Sequence, residues 1–226
     1  MKRGTLSILA GVSAPLILTA GASAEYLGIK SVGVENPYGL IVVRVYAEFD
    51  RPGEDYMQAV AGTQNAPMII QALGGGTLYN HAFGGNTAPN AALIAVFPSL
   101  AFDTFVTIGA KQFTPSLPDN TVLTPGFPPL TGTGLFTNSS GWAVTPIDPQ
   151  GDPFNTDYSS GNGQILIGQF STANGIDVAG TFLIQFVSNG VTGQAVVSFI
   201  CPAPGALALL GTAGLCGTRR RRRRTH

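Results

Sequence analysis

Between Leu40 and Phe49 the side chains alternate with a period of two. Ile41, Val43, Val45, Ala47 and Phe49 are apolar, and Val42, Arg44, Tyr46 and Glu48 form a mixed set between them. That period marks an extended strand with one buried face, because successive side chains point to opposite sides of the backbone. The same alternation puts Phe182, Ile184 and Phe186 on one face of 181–187, and Ala195, Val197 and Phe199 on one face of 194–199. Residues 56–62, 68–73, 92–97, 105–108 and 164–170 are further short strand candidates. Turn-forming clusters separate these runs: Asn36-Pro37, Arg51-Pro52-Gly53, Asn65-Ala66-Pro67 and Ser188-Asn189-Gly190. The last lies between two apolar runs and predicts a tight hairpin. No long run with a 3.6-residue period occurs between them. Many short strands with Gly/Pro turns predict an all-β protein, an antiparallel β-sandwich of jelly-roll-like or Ig-like form. Residues 113–140, with Pro115, Pro118, Pro125, Pro128 and Pro129, are expected to form a long loop.

Composition narrows the class further. The 30 Gly and 16 Pro follow no three-residue period, which excludes collagen, and 11% charged residues are too few for a coiled coil. The cysteines are Cys201 and Cys216, both near the C-terminus. On one helix they would stand about 22 Å apart, whereas a disulfide needs Cα atoms within about 7 Å. Residues 25–200 therefore contain no cysteine, and a span of that size can bury a core without cross-links. Cys201 reads as a small apolar residue rather than a processing or acylation point.

Both ends read as addresses. Lys2 and Arg3 precede an uncharged apolar run from Leu6 to Gly21, and Ala22-Ser23-Ala24 follows. A positive start, an apolar stretch and a small-residue exit make a secretory signal over 1–24, with signal peptidase expected to cut between Ala24 and Glu25. At the other end, residues 202–218 are uncharged and directly precede six arginines, Arg219, Arg220, Arg221, Arg222, Arg223 and Arg224. Those 17 residues would span about 25 Å as a helix, near the lower limit for crossing a bilayer. Pro202 and Pro204 would precede such a helix rather than break it. The arginine cluster should stay on the cytoplasmic side.

Pro202-Ala203-Pro204, the Gly/Ala/Leu-rich run and the terminal arginines together resemble a PEP-CTERM sorting signal over 201–226. The resemblance implies export in a Gram-negative-type bacterium. It also implies anchoring in the inner membrane, processing by an exosortase, and final placement at the cell surface or outside. Residues 25–200 would be the secreted domain. Residues 45–50 and 88–99, running into 102–109, are loosely similar to segments of secreted proteins that carry such tails and have no assigned activity. No catalytic residue follows from that likeness.

Charge and local motifs exclude several chemistries. Residues 25–200 hold four bases, Lys30, Arg44, Arg51 and Lys111, against all twelve acids, a net charge of −8. Such a body argues against nucleic acid as partner, since phosphate binding needs a basic face. His81 is the one histidine there, too few for a Cys/His zinc site, and no Gly-x-Ser-x-Gly elbow occurs. Gly74-Gly75-Gly76 and Gly84-Gly85 lack the Gly-Lys-Ser/Thr of a phosphate loop. Asp50, Glu54 and Asp55 form one acidic group, and Asp148, Asp152, Asn155 and Asp157 another. The second group is the candidate calcium site, because oxygen ligands on a turn-rich loop suit that ion. Turn chemistry explains the same residues equally well. No other cofactor is expected. Trp142, with Tyr158 or Tyr79, is the candidate platform for stacking a sugar ring, against burial as the commoner fate of a single Trp. The expected function is a non-enzymatic envelope or matrix protein. The alternatives are a carbohydrate-binding module of an exopolysaccharide layer and an exported hydrolase using carboxylates.

Overall fold

The computed structural model describes residues 26–173 and 175–201. The two address segments of the sequence fall outside the described residues. These are Ala22 and Ala24 at the expected signal-peptidase site, Pro202, Ala203 and Pro204, Cys216, and the cluster Arg219, Arg220, Arg221, Arg222, Arg223 and Arg224. Eleven strands and one short helix are present among the described residues: β1 Tyr26–Gly33, β2 Leu40–Phe49, β3 Asp55–Ala61, β4 Met68–Ala72, α1 Ala91–Val96, β5 Phe105–Val106, β6 Val122–Leu123, β7 Gly134–Thr137, β8 Gly141–Ala143, β9 Gln164–Ala173, β10 Val178–Ser188 and β11 Val191–Cys201. All strand pairings are antiparallel.

One sheet has four strands in the order β1-β2-β9-β5, and the other has seven. The spine of the larger sheet is β10. Along one edge it pairs with β11 from Val178↔Cys201 to Ser188↔Val191. Along the other edge β4 pairs with residues 178–181 and β3 with residues 183–188. Outward from these, β8 and β6 extend the sheet beyond β3, and β7 extends it beyond β4. The hairpin joining β10 to β11 turns at Asn189 (φ 49°) and Gly190 (φ 71°). Two successive left-handed residues form the turn whose twist matches that of the strands it joins, as Asn-Gly predicts.

The alternation in the sequence becomes the core. Ile41, Val43, Val45, Ala47 and Phe49 of β2 are buried in one cluster with Phe182, Ile184 and Phe186 of β10 and Ala195, Val197 and Phe199 of β11. Across the gap between the sheets Phe49 meets Phe186 edge-on at 5.7 Å, and Phe170 of β9 stacks on Phe199 at 5.6 Å. The result is a sandwich-like body of two antiparallel sheets around one apolar interior, as the sequence pattern predicts.

Two local expectations change, and one strand is added. Residues 92–97, expected as a strand, fall mostly within α1. The Asn90 side chain accepts from Ala92 N–H at 2.9 Å and caps the first turn, Ala and Leu favour the helix, and Pro98 begins a 3-10 turn over Pro98–Phe102. None of the α1 residues is buried, so no core alternation opposed this local preference. Residues 113–140 are less irregular than expected, because β6 and β7 form there as short additions to the larger sheet. β1, which shows no clean alternation, forms by pairing antiparallel with β2, with an irregular register between Tyr26 and Gly28.

The solvent side of the smaller sheet is partly roofed. Leu166 of β9 is buried there with Ala88, Phe105 and Ala110, and Tyr46 and Tyr158 pack against them. This second small core holds the 88–110 segment and the 153–160 loop over the sheet and leaves a cleft between them.

Candidate functional site

Strand alternation places Arg44 on the face opposite to buried Val43 and Val45. Its register partner in β9 is Gln169. Gln169 is fully buried, and all its amide atoms are used in one direction of flow. Arg44 Nε donates to Gln169 Oε1 at 2.8 Å, and Gln169 Nε2 donates to the carbonyls of Ala101 (3.0 Å) and Asp103 (2.9 Å). Arg44 is thereby fixed through one nitrogen, and its terminal nitrogens make no hydrogen bond among the described residues.

Arg44 lies at a cleft of about 410 Å³ lined also by Ile94, Lys111, Gln112, Asp157 and Tyr158. Half of the basic residues of the acidic body meet here. Lys111 makes no hydrogen bond and no ion pair among the described residues. Partial desolvation, and then the nearby Arg44 charge, lower its ammonium pKa below the ordinary lysine value. Tyr158 donates its hydroxyl to the Pro118 carbonyl at 3.0 Å. Its pKa is raised by burial and then by Asp148, Asp119 and Asp157. Two like charges share one concavity without a carboxylate in ion-pair reach, an arrangement that a bound anion would stabilise.

Asp103 caps the C-terminal end of the 3-10 turn and is 1% exposed. It accepts from His81 N–H at 2.7 Å. Burial pushes its pKa up from 3.8 to about 6, while backbone N–H groups of His81, Thr104 and Gly85 pull it down. Asp103 therefore ties the 81–85 loop to the same turn that holds Gln169 and, through it, Arg44.

Of the candidate site residues singled out in the sequence, Tyr158 and Asp157 reach this cleft and Trp142 does not. Trp142 is 1% exposed, its Nε1 donates to the Thr107 carbonyl at 3.0 Å, and its ring packs edge-on against Phe127 and Phe182. The candidate sugar platform of Trp142 with Tyr158 therefore does not form, and burial, the commoner fate of a single Trp, is the outcome, because β8 turns that side chain into the space between the sheets.

In the candidate calcium loop the side-chain oxygens serve turns. Asp148 accepts from Gln150 N–H at 2.8 Å, Asp152 from Phe154 N–H at 2.8 Å and Asn155 from Asp157 N–H at 2.9 Å. Among the described residues no group of three or more His, Cys, Asp or Glu is placed to hold a metal ion. In the first acidic group Asp55 is fully buried and accepts from Arg51 N–H and the Ser188 hydroxyl, a structural role, while Asp50 and Glu54 are exposed. His81 accepts at Nδ1 from Phe83 N–H at 3.1 Å, and its ring lies beside Phe83 and Phe97. Tyr79 is half-buried. The Cys201 thiol is partly buried against the core, and burial followed by Asp177 raises its pKa.

Arg44 and Lys111 escape a reading of the sequence as a pair. The available signal is that they are two of four bases in an acidic body; their separation along the chain forms no motif. Compared with known proteins, the chain matches no family model, no curated protein and no solved structure.

Proposed function

We propose that this chain is a non-enzymatic protein of a bacterial cell envelope or extracellular matrix. In this reading it is exported by its N-terminal signal, held at the inner membrane by its C-terminal segment, and released by an exosortase-type enzyme. The observation that carries the reading is the solvent face of the seven-stranded sheet. The strands of that sheet contain one charged residue, Asp55, and it is buried. Phe136, Ile69, Thr181 and Ser198 form one cross-strand row, and Leu183 pairs with Val196 in another. Phe136 is 66% exposed and Val196 52%.

A body that carries a net −8 yet presents one broad neutral face is suited to contact with another surface. Charge is depleted at the centres of interfaces, and clustered exposed apolar side chains mark contact sites. The two address segments read from the sequence supply the route to such a surface.

Mass spectrometry of protein recovered outside the cell is expected to find it starting at Glu25 and ending between Pro202 and Gly205. An intact arginine-rich terminus on released protein would count against the processing step. In the same cells, Phe136→Glu combined with Val196→Glu is expected to shift the protein from washed envelope to medium by about tenfold, the equivalent of about 1.4 kcal/mol of contact. An unchanged distribution of a correctly processed double variant would remove the contact role.

A further inference from the structure

We infer that the Arg44–Lys111 cleft is a binding site for a single sugar carboxylate, a hexuronate unit in an otherwise neutral glycan. The inference is independent of the export route, because it rests on the body alone.

Neither Arg44 nor Lys111 has an anionic partner among the described residues. Arg44 is held by Gln169 through Nε, and its terminal nitrogens, unbonded among the described residues, can grip a planar carboxylate in a two-pronged way. Lys111 adds a second positive charge at the same cleft and has no carboxylate in ion-pair reach among the described residues. Placing two like charges together costs free energy unless an anion joins them, and the Lys111 pKa is lowered first by partial desolvation and then by the Arg44 charge. The fixed position of Arg44 also cuts the ordering cost of binding, since Gln169 has already selected its geometry.

The other walls choose among anions. Asp157 also lines the cleft, together with the neutral polar groups of Gln112 and Thr156 and the ring of Tyr158. The Asp157 carboxylate repels a doubly charged phosphate or sulfate ion more than a singly charged carboxylate, and it accepts hydroxyl hydrogens. A ligand with one carboxylate and several hydroxyls satisfies both ends of the site. A cleft of about 410 Å³ is large enough for such a sugar unit. The surrounding net charge of −8 disfavours a densely charged polyuronate, because the protein field repels it before it arrives. A sparsely charged glycan meets less of that repulsion.

The test is calorimetric titration of the full-length chain in a nonionic detergent. The ligands are a methyl glucuronide, a glucuronate-containing disaccharide, methyl glucoside, inorganic phosphate and alanine. The glucuronides are expected to bind at least about tenfold more tightly than the glucoside, the equivalent of one charge-assisted contact. Arg44→Gln is expected to abolish that preference. Lys111→Gln, at an exposed position outside the core, is expected to weaken it about five- to tenfold with thermal unfolding unchanged. Lys111→Arg should restore most of the loss. Affinity should also fall as the pH rises through the lowered pKa of Lys111, and Lys111→Gln should flatten that dependence. Equal binding of glucoside and glucuronide, tighter binding of phosphate or of alanine, or no heat with either glucuronide at millimolar concentration would each overturn the inference. These outcomes are read on purified protein, so they are distinct from any failure of export or processing.

Discussion

Trp142→Ala is expected to lower the free energy of unfolding by about 3–5 kcal/mol, the range for removing a large aromatic from a packed interior. The side chain is 1% exposed and meets Phe127 at 6.0 Å and Phe182 at 6.3 Å between ring centroids. The Thr107 carbonyl also loses the Nε1 donor that reaches it at 3.0 Å. Trp142→Phe separates the two contributions. It keeps most of the apolar volume and leaves the carbonyl without its indole partner, so a loss of about 1–3 kcal/mol is expected. Urea denaturation of both variants measures the difference, and glucuronide titration of Trp142→Phe should match the wild type. A loss below about 1 kcal/mol for Trp142→Ala, or a selective loss of sugar binding in a fully stable variant, would return this residue to the candidate sugar platform.

The second large effect is a pH dependence centred on Asp103. Burial raises its pKa from 3.8 to about 6 in the folded protein. A group with a raised folded pKa contributes its stabilisation in full below the unfolded value. That contribution is lost as pH rises through the folded value, because folding then requires an ionised carboxylate to stay out of water. The window is therefore about pH 4 to 6. A shift of about two units corresponds to about 3 kcal/mol as an upper bound. That is about 6–12 °C in melting temperature for a domain of this size.

Asp103→Asn removes the titration. The wild type's stability relative to the variant is expected to decline from about pH 4 to about pH 6 and then level off. A constant offset from the poorer acceptor pattern of Asn does not alter that slope. A wild-type-minus-variant difference that is flat with pH would show that Asp103 has the same pKa in the folded and unfolded protein. The effect should be felt at the cleft, because the Asp103 carbonyl accepts from the Gln169 amide that fixes Arg44.

The parts of this protein legible in advance are those written in neighbouring residues. The alternation of β2, β10 and β11 names the buried face correctly, since a strand's side-chain direction depends only on the position along the chain. The hairpin at Asn189-Gly190 is equally legible, because a left-handed pair at a tight turn is a local requirement. The helix at Ala91–Val96 reads wrongly as a strand for the converse reason. A short apolar run carries no period long enough to separate strand from helix, and the Asn90 cap decides it. The acidic loop around Asp148 has two equal readings in the sequence, turn and ion site. Its hydrogen bonds to backbone N–H groups realise the turn.

The sequence by itself determined an antiparallel all-β body, the inward faces of its longest strands, and a strong excess of acid over base between two uncharged terminal runs. Each of these is a property of composition or of residues a few positions apart. Tertiary structure alone decided that Trp142 is interior and that Arg44 and Lys111 share a cleft roofed by Tyr158. It also decided that Asp103 is sealed from water at the end of the 3-10 turn. Such meetings depend on how loops distant in sequence pack over a sheet, and no short-range pattern of side chains encodes that packing.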